Sequence, residues 1–94
     1  MARIDLTAAR REATFVALLE GYPVTGSTLH SMIGRAISRY GTSGCAGIVA
    51  AEFGDHPEVA VWRMRRARAL VADSYPAHRS DGPSGSTPLA AAAA

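Results

Sequence analysis

Residues 44–75 read GCAGIVAAEFGDHPEVAVWRMRRARALVADSY, and this stretch decides the fold. Cys45, Ile48, Val49 and Phe53 recur at the spacing of a helix with one apolar face. Gly54 and Asp55 interrupt the pattern, and a second one begins at Pro57. Proline is tolerated in a first helical turn, where backbone N–H groups lack partners. Asp55-His56-Pro57-Glu58 has capping-box spacing, an acceptor followed three residues later by Glu, with Asp in place of Ser or Thr. The expectation is a short helix over 44–53 capped by Ser43, a turn at Gly54–Asp55, and a longer helix over 57–74, stopped by Pro76.

Two more helices precede it. Residues 6–20 carry Leu6, Ala9, Ala13, Val16 and Ala17 on one stripe, with Leu19 at its edge and Phe15, Leu18 and Tyr22 widening it. Asp5 is placed to cap this helix and Gly21 to end it. Over 27–40, Leu29, Met32, Ile33, Ala36, Ile37 and Tyr40 fall on one helical face, with Thr25 or Ser27 to cap the start and Gly41 to end it. Gly34 sits mid-helix, at a cost of about 1 kcal/mol relative to Ala unless something packs closely there. Residues 76–94, rich in Pro, Gly, Ser and Ala, have no apolar periodicity and read as a disordered tail. The predicted fold is all-α: a small four-helix domain within residues 1–75, then the tail of 76–94. The closing LAAAAA is similar to the small apolar ends that AAA+ proteases recognise, but low-complexity drift is the favoured reading.

Composition narrows the function. A domain of this size has a small core and needs a staple such as a disulfide, a metal or self-association. One cysteine among 94 residues excludes an intrachain disulfide, and His30, His56 and His78 lie too far apart in sequence for ordinary zinc-ligand pairs. A homodimer is the remaining expectation. The single cysteine, with no signal-peptide pattern and no apolar run of membrane-spanning length, points to a cytoplasmic protein without a membrane role. Cys45 lies on an apolar stripe, where an inert buried thiol is expected. Glu52, Asp55 and Glu58 read as helix-terminus charges, and the glycines match no phosphate loop. No catalytic residue, cofactor, metal or small-molecule substrate is expected, so the chain reads as a non-enzymatic module.

The formal net charge is +2, and all ten basic residues are arginine. On a helical wheel of residues 57–74, Ala60, Met64, Ala67 and Val71 form a core stripe within about 60° of arc. Arg63 and Arg68 flank that stripe, while Arg65 and Arg66 lie toward the far side with Trp62 between them. Trp62 is then an exposed anchor beside guanidinium groups, the composition of an interface hot spot. Two alternatives stay open: Arg66 stacking on the indole, and Val59, Trp62 and Leu70 packing against the first helix.

VAAEFGDHPEVAVWRMRRARALV, residues 49–71, resembles the helix-turn-helix of sigma-factor region 4 and LuxR-type regulators. Ala50 precedes Gly54 by four residues, Phe53 sits just before it, and an arginine-rich helix follows. The pattern departs at Asp55, where an apolar residue is usual, at Ala60, which is small, and at Glu58, Val61 and Trp62, which stand where base-reading side chains would be. The resemblance implies a regulatory module contacting DNA through residues 44–73, with Arg39, Arg65 and Arg66 sharing one positive surface. The chain also resembles short helical proteins of actinobacterial genomes, which implies no mechanism. The runner-up is a protein-interaction module, a homodimer or adaptor, using Trp62 and its neighbours. The candidate contact residues under either reading are Arg39, Trp62, Arg63, Arg65, Arg66 and Arg68.

Overall fold

A computed structural model describes residues 5–76. Among them are three helices and no strand: α1 (Leu6–Leu19), α2 (Leu29–Asp55) and α3 (Pro57–Ser74). The all-α expectation holds, and the count of four becomes three. The tail expected over 76–94, its alanine end included, lies outside the described residues apart from Pro76.

α1 begins and ends as its sequence dictates. The Asp5 carboxylate accepts from the Ala8 N–H at 3.1 Å. At the other end Gly21 takes φ +84°. Its N–H bonds Leu18 O at 3.0 Å and the Tyr22 N–H bonds Ala17 O at 3.2 Å, the paired bonds of a Schellman cap. The following loop is held by Thr28, whose hydroxyl donates to Pro23 O at 3.1 Å and accepts from the Thr25 N–H at 2.9 Å. That hydroxyl is thus committed to the loop. α2 starts at Leu29 without a side-chain cap, rather than at residue 27 under Thr25 or Ser27.

The two middle helices of the expectation join at a single residue. Gly41 sits inside α2 at φ +75°, ψ 169°, a region open essentially to glycine alone. One such residue turns the chain with no loop, and Ser43 is left inside the helix instead of capping a new one. The turn is sharp. The Cys45 thiol lies 3.7 Å from the carbonyl oxygen of Ala36. Nine residues of straight helix would separate them by about 13 Å along the axis. Gly44 faces the inside of the bend, where a Cβ would stand 3.0 Å from Tyr40 Cβ.

Prolines set both ends of α3. Gly54 does not stop the preceding helix, which runs on through Asp55, and Asp55 does not cap the next. The residue before proline is sterically driven out of the α region. His56 before Pro57 has φ −138°, ψ 64°, and Tyr75 before Pro76 has φ −129°, ψ 71°. Each bounds α3 with nearly the same backbone. The connection is therefore one residue, His56, whose N–H bonds Glu52 O at 2.7 Å and whose carbonyl accepts from the Ala60 N–H at 2.9 Å.

α1 is the central element. Ala13, Thr14, Phe15, Val16 and Ala17 are all buried. Five consecutive buried positions mean that the helix is covered on every side there. The Thr14 hydroxyl satisfies itself on Arg10 O at 2.7 Å. One core cluster joins Ala13, Val16 and Ala17 to Val24, Leu29, Ile33, Ala36, Cys45 and Val71. The other joins Phe15 to Val49, Ala60 and Ala67, with Phe53 and Met64 packed against it. The Phe15 and Phe53 rings stack with centroids 6.0 Å apart. Leu6, expected on the α1 stripe, is 55% exposed, because among the described residues no neighbouring helix covers it.

Three tyrosines tie the periphery. Tyr40 donates to the Glu20 carboxylate, a bond that holds its phenol above the usual range. Arg35 donates to Tyr22 at 2.7 Å with its guanidinium over the ring. His30 and Tyr75 share a 2.9 Å hydrogen bond under Arg10, which lies 3.9 Å from the Tyr75 ring centroid.

Gly34 and Gly47 are helical with open space around them, so Gly34→Ala and Gly47→Ala each raise stability by about 0.5–1 kcal/mol. Gly41→Ala lowers it by about 1–3 kcal/mol, because alanine is strained at that φ and ψ. Urea unfolding of the three variants reads the contrast. Separately, Cys45 is buried and its thiol is pushed up by that burial, then by the charges of Glu12 and Glu20. It should react with a thiol reagent roughly a hundredfold or more slowly in the folded chain than in urea, since attack needs local opening.

Candidate interaction face on the third helix

The inner stripe of α3 is as its wheel predicts. Ala60, Ala67 and Val71 are buried against α1 and α2, with Met64 partly buried beside them. The small residues at 60 and 67 let α3 approach Phe15 closely, so the opposite side of the helix stands clear of the core. Trp62 is on that side and is 71% exposed. Val59 is 51% exposed and Val61 41%. Packing of Val59 and Trp62 against α1 is thereby overturned. The buried stripe lies at Ala60, and both side chains fall outside its arc. Leu70 does pack against the core.

The arginines divide by what they touch. Arg63 turns inward: its guanidinium lies 5.6 Å from the Phe15 ring centroid and 3.6 Å from Glu52 Oε1. That separation is longer than a direct hydrogen bond, and such partly exposed pairs contribute about 1 kcal/mol or less. Arg63 helps seal the α2–α3 corner. Arg65, Arg66 and Arg68 are exposed on α3. Arg39 is exposed on α2, 5.4 Å over the Tyr40 ring. Among the described residues no hydrogen bond or ion pair links Arg39 to the α3 arginines. No cation–π contact there involves Trp62, so Arg66 does not stack on the indole.

Trp62 forms a ridge between two open grooves. One, of about 490 Å³, is lined by Leu18, Glu58, Val59, Trp62, Arg63 and Arg66 and is largely apolar. The other, of about 460 Å³, is lined by Trp62, Arg65, Arg66, Ala69, Leu70 and Asp73. The sequence did not reveal Leu18 as a groove wall, since its place on the α1 stripe suggested core. Glu58, expected on the exposed first turns beside Trp62, lines the first groove; Asp73 in the second was not foreseen, and its spacing of eleven residues from Trp62 was the available signal.

Other sites offer less chemistry. Among the described residues no group of three or more His, Cys, Asp or Glu side chains could hold a metal ion. The one cysteine, Cys45, is 1% exposed. Burial raises the Glu12 carboxyl, with Asp5 adding to the effect, beside a small open depression that includes Thr42 and Ser43. No helix among the described residues is long and apolar enough to cross a membrane. Comparison with protein-family models, with curated proteins and with solved structures finds no match to this chain.

Proposed function

We propose that this protein is a non-enzymatic regulatory module that works by docking a protein surface on the outer face of α3. One observation carries the reading: a tryptophan 71% exposed, standing between two open grooves. A large aromatic left in water is an unrealised source of binding energy. Tryptophan flanked by arginine is the composition most enriched among residues that dominate interfaces. Leu18 and Val59 extend the apolar surface around it, and Arg65 and Arg66 form a polar rim.

A DNA-binding role through the same helix is the second reading, favoured by three exposed arginines at positions 65, 66 and 68. It is the weaker of the two. Glu58 and Asp73 put negative charge at the edges of the grooves, where phosphates would approach. Glu58, Val61 and Trp62 occupy the exposed first turns of the helix and are poor readers of base edges.

The two readings separate by experiment. With a photoreactive benzoylphenylalanine at position 62, illumination of cells should yield a covalent adduct with a polypeptide, whether another protein or a second copy of the chain. Truncation of Trp62 to Ala should weaken the protein contact by about thirtyfold, the scale of an interface hot spot. Duplex DNA titrated at low salt should show no binding that depends on Arg65 and Arg66. If instead Arg65→Ala and Arg66→Ala each lowered the log–log salt slope of DNA binding by about one, the DNA reading would replace this one.

A further inference from the structure

The charge pattern on α3 bears on what covers Trp62. Glu58, Trp62 and Arg66 are spaced four residues apart, so they lie along one stripe of the helix. All three line the same groove, and all three are exposed. The only ion pair among the described residues is Arg63 with Glu52, so among them neither Glu58 nor Arg66 is paired with an opposite charge. The stripe is acidic on one side of Trp62 and basic on the other, at equal distance.

Such a stripe is complementary to itself in one arrangement. When two copies of α3 lie antiparallel about a two-fold axis at Trp62, position 58 of one copy faces position 66 of the other. The same pairing recurs on the far side of the axis. Both contacts then join Glu to Arg, and the two indoles meet at the centre. A parallel pairing would set Glu against Glu and Arg against Arg. Isologous contacts of this kind are the commonest basis of homo-oligomers. The groove beside Trp62, about 490 Å³ and walled by Leu18 and Val59, has room for an indole from the second copy.

We infer that the occupant of this face is a second copy of the chain, docked antiparallel through α3, with Trp62 at the two-fold axis and Glu58 of each copy paired with Arg66 of the other. The inference rests on the docking reading of Trp62 and adds its partner and geometry. α3 is 18 residues long. A helix of that length offers a face about 27 Å long and roughly 10 Å wide, less than the about 800 Å² per partner of a standard interface. The dimer therefore belongs to the weak, concentration-dependent class.

Sedimentation equilibrium of the full chain over micromolar to millimolar concentration tests it. Wild type should pass reversibly from monomer to dimer. Glu58→Arg places Arg against Arg, and Arg66→Glu places Glu against Glu; each should weaken self-association at least about tenfold. Mixed in equal amounts, the two variants should pair with each other, since every facing pair is again opposite in charge. The double variant should also dimerise alone. Circular dichroism checks that each variant keeps its helices, and recovery on mixing excludes misfolding as the cause of the single-variant loss. A wild type that stays monomeric, single variants that dimerise normally, or a mixture that does not associate would each overturn the inference. The docking reading fails separately: a wild-type monomer whose position 62 crosslinks to a different polypeptide keeps that reading and removes only the self-pairing.

Discussion

Phe15 meeting Phe53 is the contact on which the arrangement depends. It joins the middle of α1 to the end of α2, at the corner where the chain turns into α3. Around it Val49, Ala60 and Ala67 close one core cluster, and Arg63 covers the ring from the solvent side. Fully burying a phenylalanine contributes about 2–3 kcal/mol before any cavity effect. In a domain this small, that is a large share of a net stability of only several kcal/mol. Because α1 is buried from Ala13 through Ala17, both other helices must pack on it. α3 does so with Ala60, Ala67 and Val71, flanked by Met64 and Leu70, and leaves Trp62 pointing away.

Backbone punctuation then places that surface. Gly41 bends α2 back on itself, so that Cys45 packs beneath Ala36 in the same cluster as Leu29 and Ile33. Pro57 forces His56 out of the helix and redirects the chain in one residue. Without either device α2 and α3 would continue outward, and the α1 core would be uncovered. The short corner also sets the direction in which Trp62 is presented. It stands on the second turn of a helix whose inner stripe is locked into the core at Ala60.

Much of this was legible in the residues. The α1 ends, the α3 core stripe of Ala60, Met64, Ala67 and Val71, and the outward position of Trp62 all follow from periodicity and capping chemistry. What was not legible had physical causes. Gly54 read as a helix stop, yet a glycine only weakens a helix, whereas a proline imposes geometry on the residue before it. Gly41 read as the end of a helix, and the backbone does leave the helix there, but the sequence cannot say that one glycine conformation will make the whole turn. Leu6 matched a stripe that no neighbour covers. Arg63 read as a surface cation, and only the tertiary position of Phe15 and Glu52 turns it inward. Leu18 became a wall of the candidate site for the same reason: its surroundings are set by α3, not by its own helix.

On the proposed docking, Trp62 stands in water in the single chain and is covered only by association. Trp62 is the one tryptophan, so its fluorescence reports this without any substitution. Emission and iodide quenching should be measured on the folded protein from nanomolar to millimolar concentration, against the urea-unfolded chain as the solvent-exposed reference. Emission at high dilution should be nearly as red and as quenchable as the reference, and should shift blue and become protected as concentration rises. Blue, protected emission already present at nanomolar concentration and unchanged by dilution would contradict it, because the indole would then be buried within the monomer.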